Sequence, residues 1–189
     1  MIWKQLYTGT MWNMDEPEGQ QIYLDDIVVP LSRLPRYDAH TTRTISVAEH
    51  SLLVARLVGR EAKPYALVHD FHEVWLGDIT TPTALLLFHQ EEDMFWLKSW
   101  KRRYDSVVYE AFGLELPSEE IVMEVAQADL QALDIERRAL MSVRHDGYWP
   151  QVEAPAGMKV GPAAPSSLIA DDLRRELANW CPLLPPAHP

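Results

Sequence analysis

Four residues of the sequence could close around one divalent ion: His50, the adjacent pair His69-Asp70, and Asp129. The pair lies in the apolar run Ala66-Leu67-Val68-His69-Asp70-Phe71-His72-Glu73, which puts one imidazole and one carboxylate within reach of the same cation. A set of two nitrogens and two oxygens accepts manganese, cobalt, iron, zinc, nickel or magnesium, although the histidines make a magnesium-only site less natural. It argues against a structural zinc, which prefers thiolates and a closed shell. An ion with an open position would lower the pKa of its water and give a hydroxide able to attack phosphorus. A phosphate ester or anhydride is the natural substrate, and charge building on its phosphoryl oxygens then needs cationic partners. Arg33, Arg36 and Arg43 stand together before His50, in a loop that either binds phosphate or forms surface salt bridges.

The elements that must position these groups read as helices. Ser46-Val47-Ala48-Glu49 is a capping box, opening a helix to about Val58 that ends at Gly59 and carries Val47, His50, Val54, Leu57 and Val58 on one stripe. Alone, a histidine on such a stripe is a packed core residue with a hydrogen-bond partner; the His69-Asp70 pair on the next predicted helix turns the reading toward ligation. That second helix starts at Pro64 and runs to about Trp75, with Gly77 at its end and His69, His72 and Glu73 on one broad face. The His-Glu-x-x-His order of zinc peptidases is absent, and His69-x-x-His72-Glu73 does not match the inverted form either. Asp78 either caps the next helix or projects into a cleft. Thr83 to about Phe112 reads as one long or broken helix, with Trp96, Trp100, Tyr104 and Val108 as a stripe for the core or a subunit contact. A further helix spans about Pro117 to Arg144. Asp129 falls in its apolar sector, where a carboxylate needs a cation or an arginine, and Glu136 can orient or pair with something near the same cleft.

The flanks say less. Residues 1–31 show no lasting period, with a loop at 12–19 and a short helix or extended piece at Leu24 to Leu31 broken at Pro30. Residues 147–165 form a proline-punctuated connector. Ser166 or Ser167 caps a last helix, Leu168 to about Trp180, and the proline-rich tail 181–189 lies along the surface. The chain of 189 residues, 47% hydrophobic, is enough for one core, so residues 1–180 are expected to form a single domain. A net charge of -11, from 28 acids against 17 lysines and arginines, disfavours a broad grip on DNA or RNA. It leaves room for a nucleotide held by a local cation site and a metal. The single cysteine excludes an intrachain disulfide and a cysteine-rich zinc site. No stretch approaches the roughly 18 apolar residues of a membrane span, and a soluble cytoplasmic protein is the expectation.

The words Ser46-Val47-Ala48-Glu49-His50-Ser51, Leu67-Val68-His69-Asp70-Phe71-His72-Glu73, Leu76-Gly77-Asp78-Ile79-Thr80-Thr81-Pro82, and Ala128-Asp129 with Ala132-Leu133 and Glu136 resemble the HD-domain phosphohydrolases, over about residues 31–141. The nearest branch is that of small bacterial 5'-deoxynucleotidases and related phage dATP triphosphohydrolases. The resemblance implies an all-α, HD-type helical bundle. It implies one divalent metal on His50, His69, Asp70 and Asp129, with a second ion accompanying the substrate phosphates. Glu73 and Asp78 would line the active site, for proton transfer, water orientation or sugar contacts. Arg36 would touch phosphate, and Tyr37 would lie against sugar or base, with Arg33 beside them. Phe71-His72 departs from the pattern, where many relatives carry a small residue after the His-Asp pair. The implied reaction is attack on the α-phosphorus of a dNTP with release of triphosphate; the alternatives are a 5'-deoxynucleotidase acting on dNMPs and a nucleotide-binding protein without turnover. A homo-oligomer, dimer or hexamer, is implied as well, and the host cytoplasm if the chain is phage-encoded.

Overall fold

The computed structural model of the protein describes residues 1–89, 91–142, 147 and 149–189. The expected helix end at Val143-Arg144, Gln90 of the long helix and Tyr148 of the connector lie outside the described residues. The fold is an all-α, HD-type helical bundle with one small antiparallel hairpin attached: β1 (Trp3–Gln5), β2 (Met11–Asn13), α1 (Leu24–Leu31), α2 (Val47–Val54), α3 (Lys63–Val68), α4 (Glu73–Leu76), α5 (Thr81–Leu87), α6 (Glu91–Ala111), α7 (Glu119–Leu140) and α8 (Ser166–Trp180).

The core gathers the apolar faces of α1, α2, α3, α7 and α8. Ile27, Val28, Val47, Val54, Leu67, Ala132, Leu173 and Leu177 are all sealed from solvent. Small residues set the spacing: Ala48 on α2 faces the bundle where α7 presents Ala128 and Ala132, so the two backbones pass close enough for side chains on each to meet.

Local chemistry starts each element. Ser46 and Glu49 form the reciprocal capping box expected for α2. This helix stops at Val54, four residues short of expectation, because the amides of Arg56 and Leu57 turn to carbonyls three residues back, at 3.0 and 2.9 Å. The expected single helix from Pro64 to Trp75 is two short ones. Between α3 and α4 the amides of Phe71, Glu73 and Val74 also bond three residues back, at 3.0, 3.0 and 3.1 Å, which tightens the chain into 3₁₀ turns. His69 and Asp70 therefore sit in a tight corner rather than on a helix face. Ser118 caps α7. On α8 neither expected serine caps: Ser166 is already the first helical residue and Pro165 holds the cap position.

Two peripheral features bear on the site. The hairpin pairs Trp3 with Asn13 around a turn at Gly9, whose φ is +93°; its two strands of three residues are too short to give a legible period, and β2 takes the start of the expected 12–19 loop. Trp12 from β2 is fully buried against Trp75, ring centres 5.0 Å apart. Lys4 from β1 donates through Nζ to the carbonyls of Val74 and Trp75, at 2.9 and 2.8 Å, at the C-terminal end of α4. The second feature is an isolated antiparallel bridge between Pro35 and Ser46. Arg36 N–H donates to Ile45 O at 2.9 Å and Val47 N–H to Leu34 O at 3.0 Å, so both ends of the intervening loop are pinned.

The aromatic stripe of α6 divides. Tyr104, Val108 and Phe112 are fully buried, whereas Trp96 is 62% exposed alongside Phe95, Leu85, Leu86 and Leu87. The tail has no helix and crosses the surface, with Leu183 N–H on Phe112 O and Leu24 N–H on Pro186 O, both at 3.1 Å. Among the described residues no helix is long and apolar enough to cross a membrane.

Candidate metal centre

His50, His69, Asp70 and Asp129 converge. His50 reaches the point from α2, His69 and Asp70 from the corner after α3, and Asp129 from α7. His50 Nε2 lies 3.0 Å from Asp129 Oδ1 and 3.7 Å from Asp70 Oδ2, and His69 Nε2 lies 3.1 Å from Asp70 Oδ2. The two imidazole centres are 5.2 Å apart. For ligand arms of about 2.1 Å, tetrahedral or octahedral geometry separates neighbouring donors by roughly 3.0–3.4 Å, and the observed spacings bracket that range.

The orientation of both rings leaves the correct nitrogen available. His69 Nδ1 donates to the Ala66 carbonyl at 2.8 Å, since a carbonyl can only accept, so Nε2 is the nitrogen left to face a ligand. His50 Nδ1 is 2.7 Å from Glu136 Oε1, and both side chains are wholly buried. A carboxylate behind the far nitrogen of an imidazole fixes its tautomer and raises its basicity toward a metal. Among the described residues, neither Nε2 makes a hydrogen bond, although both are buried. Each stands 3.0–3.1 Å from a carboxylate oxygen without hydrogen-bond alignment, an arrangement that a cation between them would satisfy. Asp129, with 41% of its side chain exposed, leaves one flank open to solvent and substrate.

Electrostatics agree with a cation-shaped gap. Burial and the neighbouring Arg36 press against a charged His50, but Glu136 and Asp129 outweigh them and draw the imidazole up to about 10. Burial favours protonated Asp70, yet His69, His50 and Arg36 hold it well below the usual carboxylate range. Asp129 is likewise lowered against its burial by His50 and His69. Without an ion, protons on the imidazoles offset the carboxylates; a divalent cation would displace them.

Around this set stands a layer of charged groups. Glu136, fully buried two helical turns beyond Asp129, accepts from Arg36 Nε at 3.3 Å and from Tyr37 Oη at 2.5 Å as well as from His50. Arg36 also reaches Asp70 Oδ2 at 3.5 Å. Tyr37, Asp38 and Ala39 adopt φ of 57°, 50° and 62°, three successive left-handed residues that fold the chain back so that the Tyr37 hydroxyl meets Glu136. Burial, together with Asp70 and Asp78, pushes Glu73 up to about 9. Asp78, also raised chiefly by burial, follows Gly77; it does not cap α5, whose cap position is Thr80.

The three arginines of the loop part company. Arg36 enters the site. Arg43 is bound to Glu49 at 2.9 Å and to the Gly161 carbonyl at 2.8 Å. Arg33 is exposed over the Tyr7 ring, 5.3 Å from its centre, and lines a cavity of about 380 Å³ with Lys4, Tyr7, Glu73 and Gly77. Glu73, whose carboxyl feels the charge of Asp70, lines that cavity. One partner was invisible in the sequence: Asp105 on α6, whose Oδ1 lies 2.8 Å from His72 Nδ1.

No family model matches the sequence. The protein is similar in fold to the cyanophage S-2L HD phosphohydrolase DatZ, a structure bound to dA and one catalytic zinc ion, with a TM-score of 0.52 and 18% identity over 85% of both chains. An uncharacterized protein of Rhodobacter capsulatus, RCAP_rcc00048, is 35% identical over 89 residues, 42% of this chain and 45% of its own. The uncharacterized protein YfdR of Escherichia coli K12 is 31% identical over 153 residues, 81% of this chain and 80% of YfdR. With that likeness spanning four-fifths of each sequence, the chain belongs to the family of YfdR, on an HD-type fold.

Proposed function

We propose that the protein is a metal-dependent phosphohydrolase of deoxynucleotides, acting at the α-phosphorus of a dNTP, dATP foremost, and releasing triphosphate. One observation carries the reading: two buried imidazole Nε2 atoms without hydrogen-bond partners, among the described residues, face two carboxylates at ligand spacing. A divalent ion on His50, His69, Asp70 and Asp129 would supply a water acidic enough to serve as nucleophile at neutral pH.

The remaining tasks fall to this chain's own side chains. The Arg36 guanidinium, held in place by Glu136, presents a fixed cation to phosphoryl oxygens as their charge grows in the transition state. Glu73, whose carboxyl burial raises above the usual range, is the group placed to give a proton to the departing 5'-oxygen of the sugar. Asp78 orients water or sugar hydroxyls from the same side. The cavity beyond Glu73, walled by Tyr7, Arg33 and Gly77, has a size suited to a nucleoside, and a deoxyadenosine occupies the similarly folded DatZ. Self-association would use the exposed Leu85 to Leu87, Phe95 and Trp96.

A mass-resolved product screen of dNTPs, dNMPs and ribonucleotides with manganese, cobalt, zinc and magnesium tests the proposal. Deoxynucleoside plus intact triphosphate is the expected pair. Inorganic phosphate from dNMPs alone would reassign the reaction to a 5'-deoxynucleotidase, and no turnover with any metal would sink the enzyme reading.

A further inference from the structure

Tyr37 opens a run of three left-handed residues, none of them glycine, with φ of 57°, 50° and 62°. L side chains take up such backbone only where their surroundings hold it. Two side-chain bonds do so here: Tyr37 Oη donates to the fully buried Glu136 at 2.5 Å, and Thr80 Oγ1 donates to Asp38 Oδ2 at 3.3 Å. Burial and the Glu136 charge keep the proton on the Tyr37 oxygen, so the hydroxyl is the donor. The spacing around Arg36 is the informative part. Its Nε is 3.3 Å from Glu136 Oε2 and its Nη1 is 3.5 Å from Asp70 Oδ2, whereas an unhindered charged pair closes to roughly 2.7–2.9 Å. The guanidinium is buried beside two carboxylates and sits tight against neither. The oxygen it would close on, Oε2, already accepts the shorter bond from Tyr37, and Oε1 is taken by His50 Nδ1 at 2.7 Å.

We propose that Tyr37 is a positioning residue for Arg36: its hydroxyl shares the Glu136 charge and keeps the guanidinium from collapsing onto that carboxylate, so that Arg36 holds donors free for substrate phosphate. The inference rests on the phosphate-directed role given to Arg36 above. Tyr37 then works through Glu136 and not by touching the nucleotide. Its ring serves the same end, lying 5.3 Å from the Arg36 guanidinium, within cation–π range. Trp149 meets that ring edge to face, centres 6.3 Å apart, and is the wall against which it rests.

The test is calorimetric titration of the full chain, in manganese, with inorganic triphosphate. Tyr37→Phe keeps the ring and removes the hydroxyl; triphosphate should bind about 3- to 10-fold more weakly, the worth of one hydrogen bond, with bound manganese unchanged. In an Arg36→Lys background the same substitution should alter the affinity by less than about twofold, a non-additivity that a merely structural role would not produce. If Tyr37→Phe folds poorly, Tyr37→Phe combined with Ala39→Gly decides the matter, because glycine takes left-handed backbone without strain; the same loss of affinity is expected. Unchanged affinity on removal of the hydroxyl, or an equal loss in both backgrounds, would overturn the inference. A wild type that binds triphosphate but turns over no nucleotide sinks the proposed reaction, while the affinities still decide the role of Tyr37. One that binds no triphosphate removes the phosphate role of Arg36, and this inference with it.

Discussion

Glu136 and His50 are joined across 86 residues of sequence by a 2.7 Å contact between two side chains with no solvent exposure. A carboxylate at that nitrogen would orient the imidazole for a metal rather than leave it a core residue. Glu136→Gln keeps the volume but removes the charge, and metal affinity is expected to fall about 10- to 100-fold. Glu136→Ala should in addition lower stability by about 3–5 kcal/mol, because Arg36 stays buried without its main partner. Competition with a chelator and urea unfolding measure the two effects; unchanged metal affinity in Glu136→Gln would contradict the role given to this pair.

Asp129 presents the opposite case. Its side chain is partly open, so Asp129→Ala should cost the metal-free protein less than Glu136→Ala does, about 1–3 kcal/mol for the lost contact with buried His50, while metal occupancy is lost. In the wild type, metal at about 100 times its Kd should stabilise the fold by about 2.7 kcal/mol, a rise in Tm of roughly 5–11 °C. Asp129→Ala should show no such rise, and a full rise would remove Asp129 from the ligand set.

In the proposed reaction Arg36 would serve phosphate by fork geometry as well as charge. Arg36→Lys retains a cation beside Glu136 yet loses the paired donors, so kcat/KM should drop on the order of 10²-fold with metal content unaltered. Undiminished turnover would move the phosphate contact to Arg33.

Lys4 ties the hairpin to the end of α4 through two carbonyls. Lys4→Met should cost about 1–3 kcal/mol and raise KM more than it lowers kcat, since the loosened hairpin forms one wall of the cavity beyond Glu73. Steady-state kinetics with thermal melts separate this outcome from plain destabilisation.

Cys181 reports on the tail. Burial pushes its thiol up to about 12, so at pH 9 alkylation of the native protein should run on the order of 10²-fold slower than that of the unfolded chain. By the same linkage the folded state binds the extra proton between pH 9 and 12, and stability contributed by this group declines as pH rises through that window. Equal native and unfolded rates would mean the tail does not cover the thiol.

What the sequence disclosed was mostly what repeats with a helical period or a fixed chemical spacing. The Ser46-Glu49 box announced α2, and the convergence of His50, His69, Asp70 and Asp129 could be read because His and Asp in apolar sectors demand partners. Glu136 was half legible: seven residues beyond Asp129, it shares that face, but nothing in its spacing named His50, Arg36 and Tyr37 as its neighbours. The break of the expected helix between Val68 and Glu73 could not be read, since no glycine or proline marks it and the tightening serves tertiary placement of His69 and Asp70. Asp105 was hidden for a plainer reason, a contact spanning 33 residues of chain that only packing creates. Arg33, Arg36 and Arg43 looked alike as a cluster, and only the turn of the backbone after Pro35 sorts them.

The short bridge from Pro35 to Ser46 has a corollary. Because Arg36 at one foot and the capped helix at the other are fastened by two backbone hydrogen bonds at the base, a change of length between them costs little loop-closure entropy, beyond the bonds that Thr42 and Arg43 make from the span. Changes in that span leave the spacing between Arg36 and His50 to the two bonds at its base.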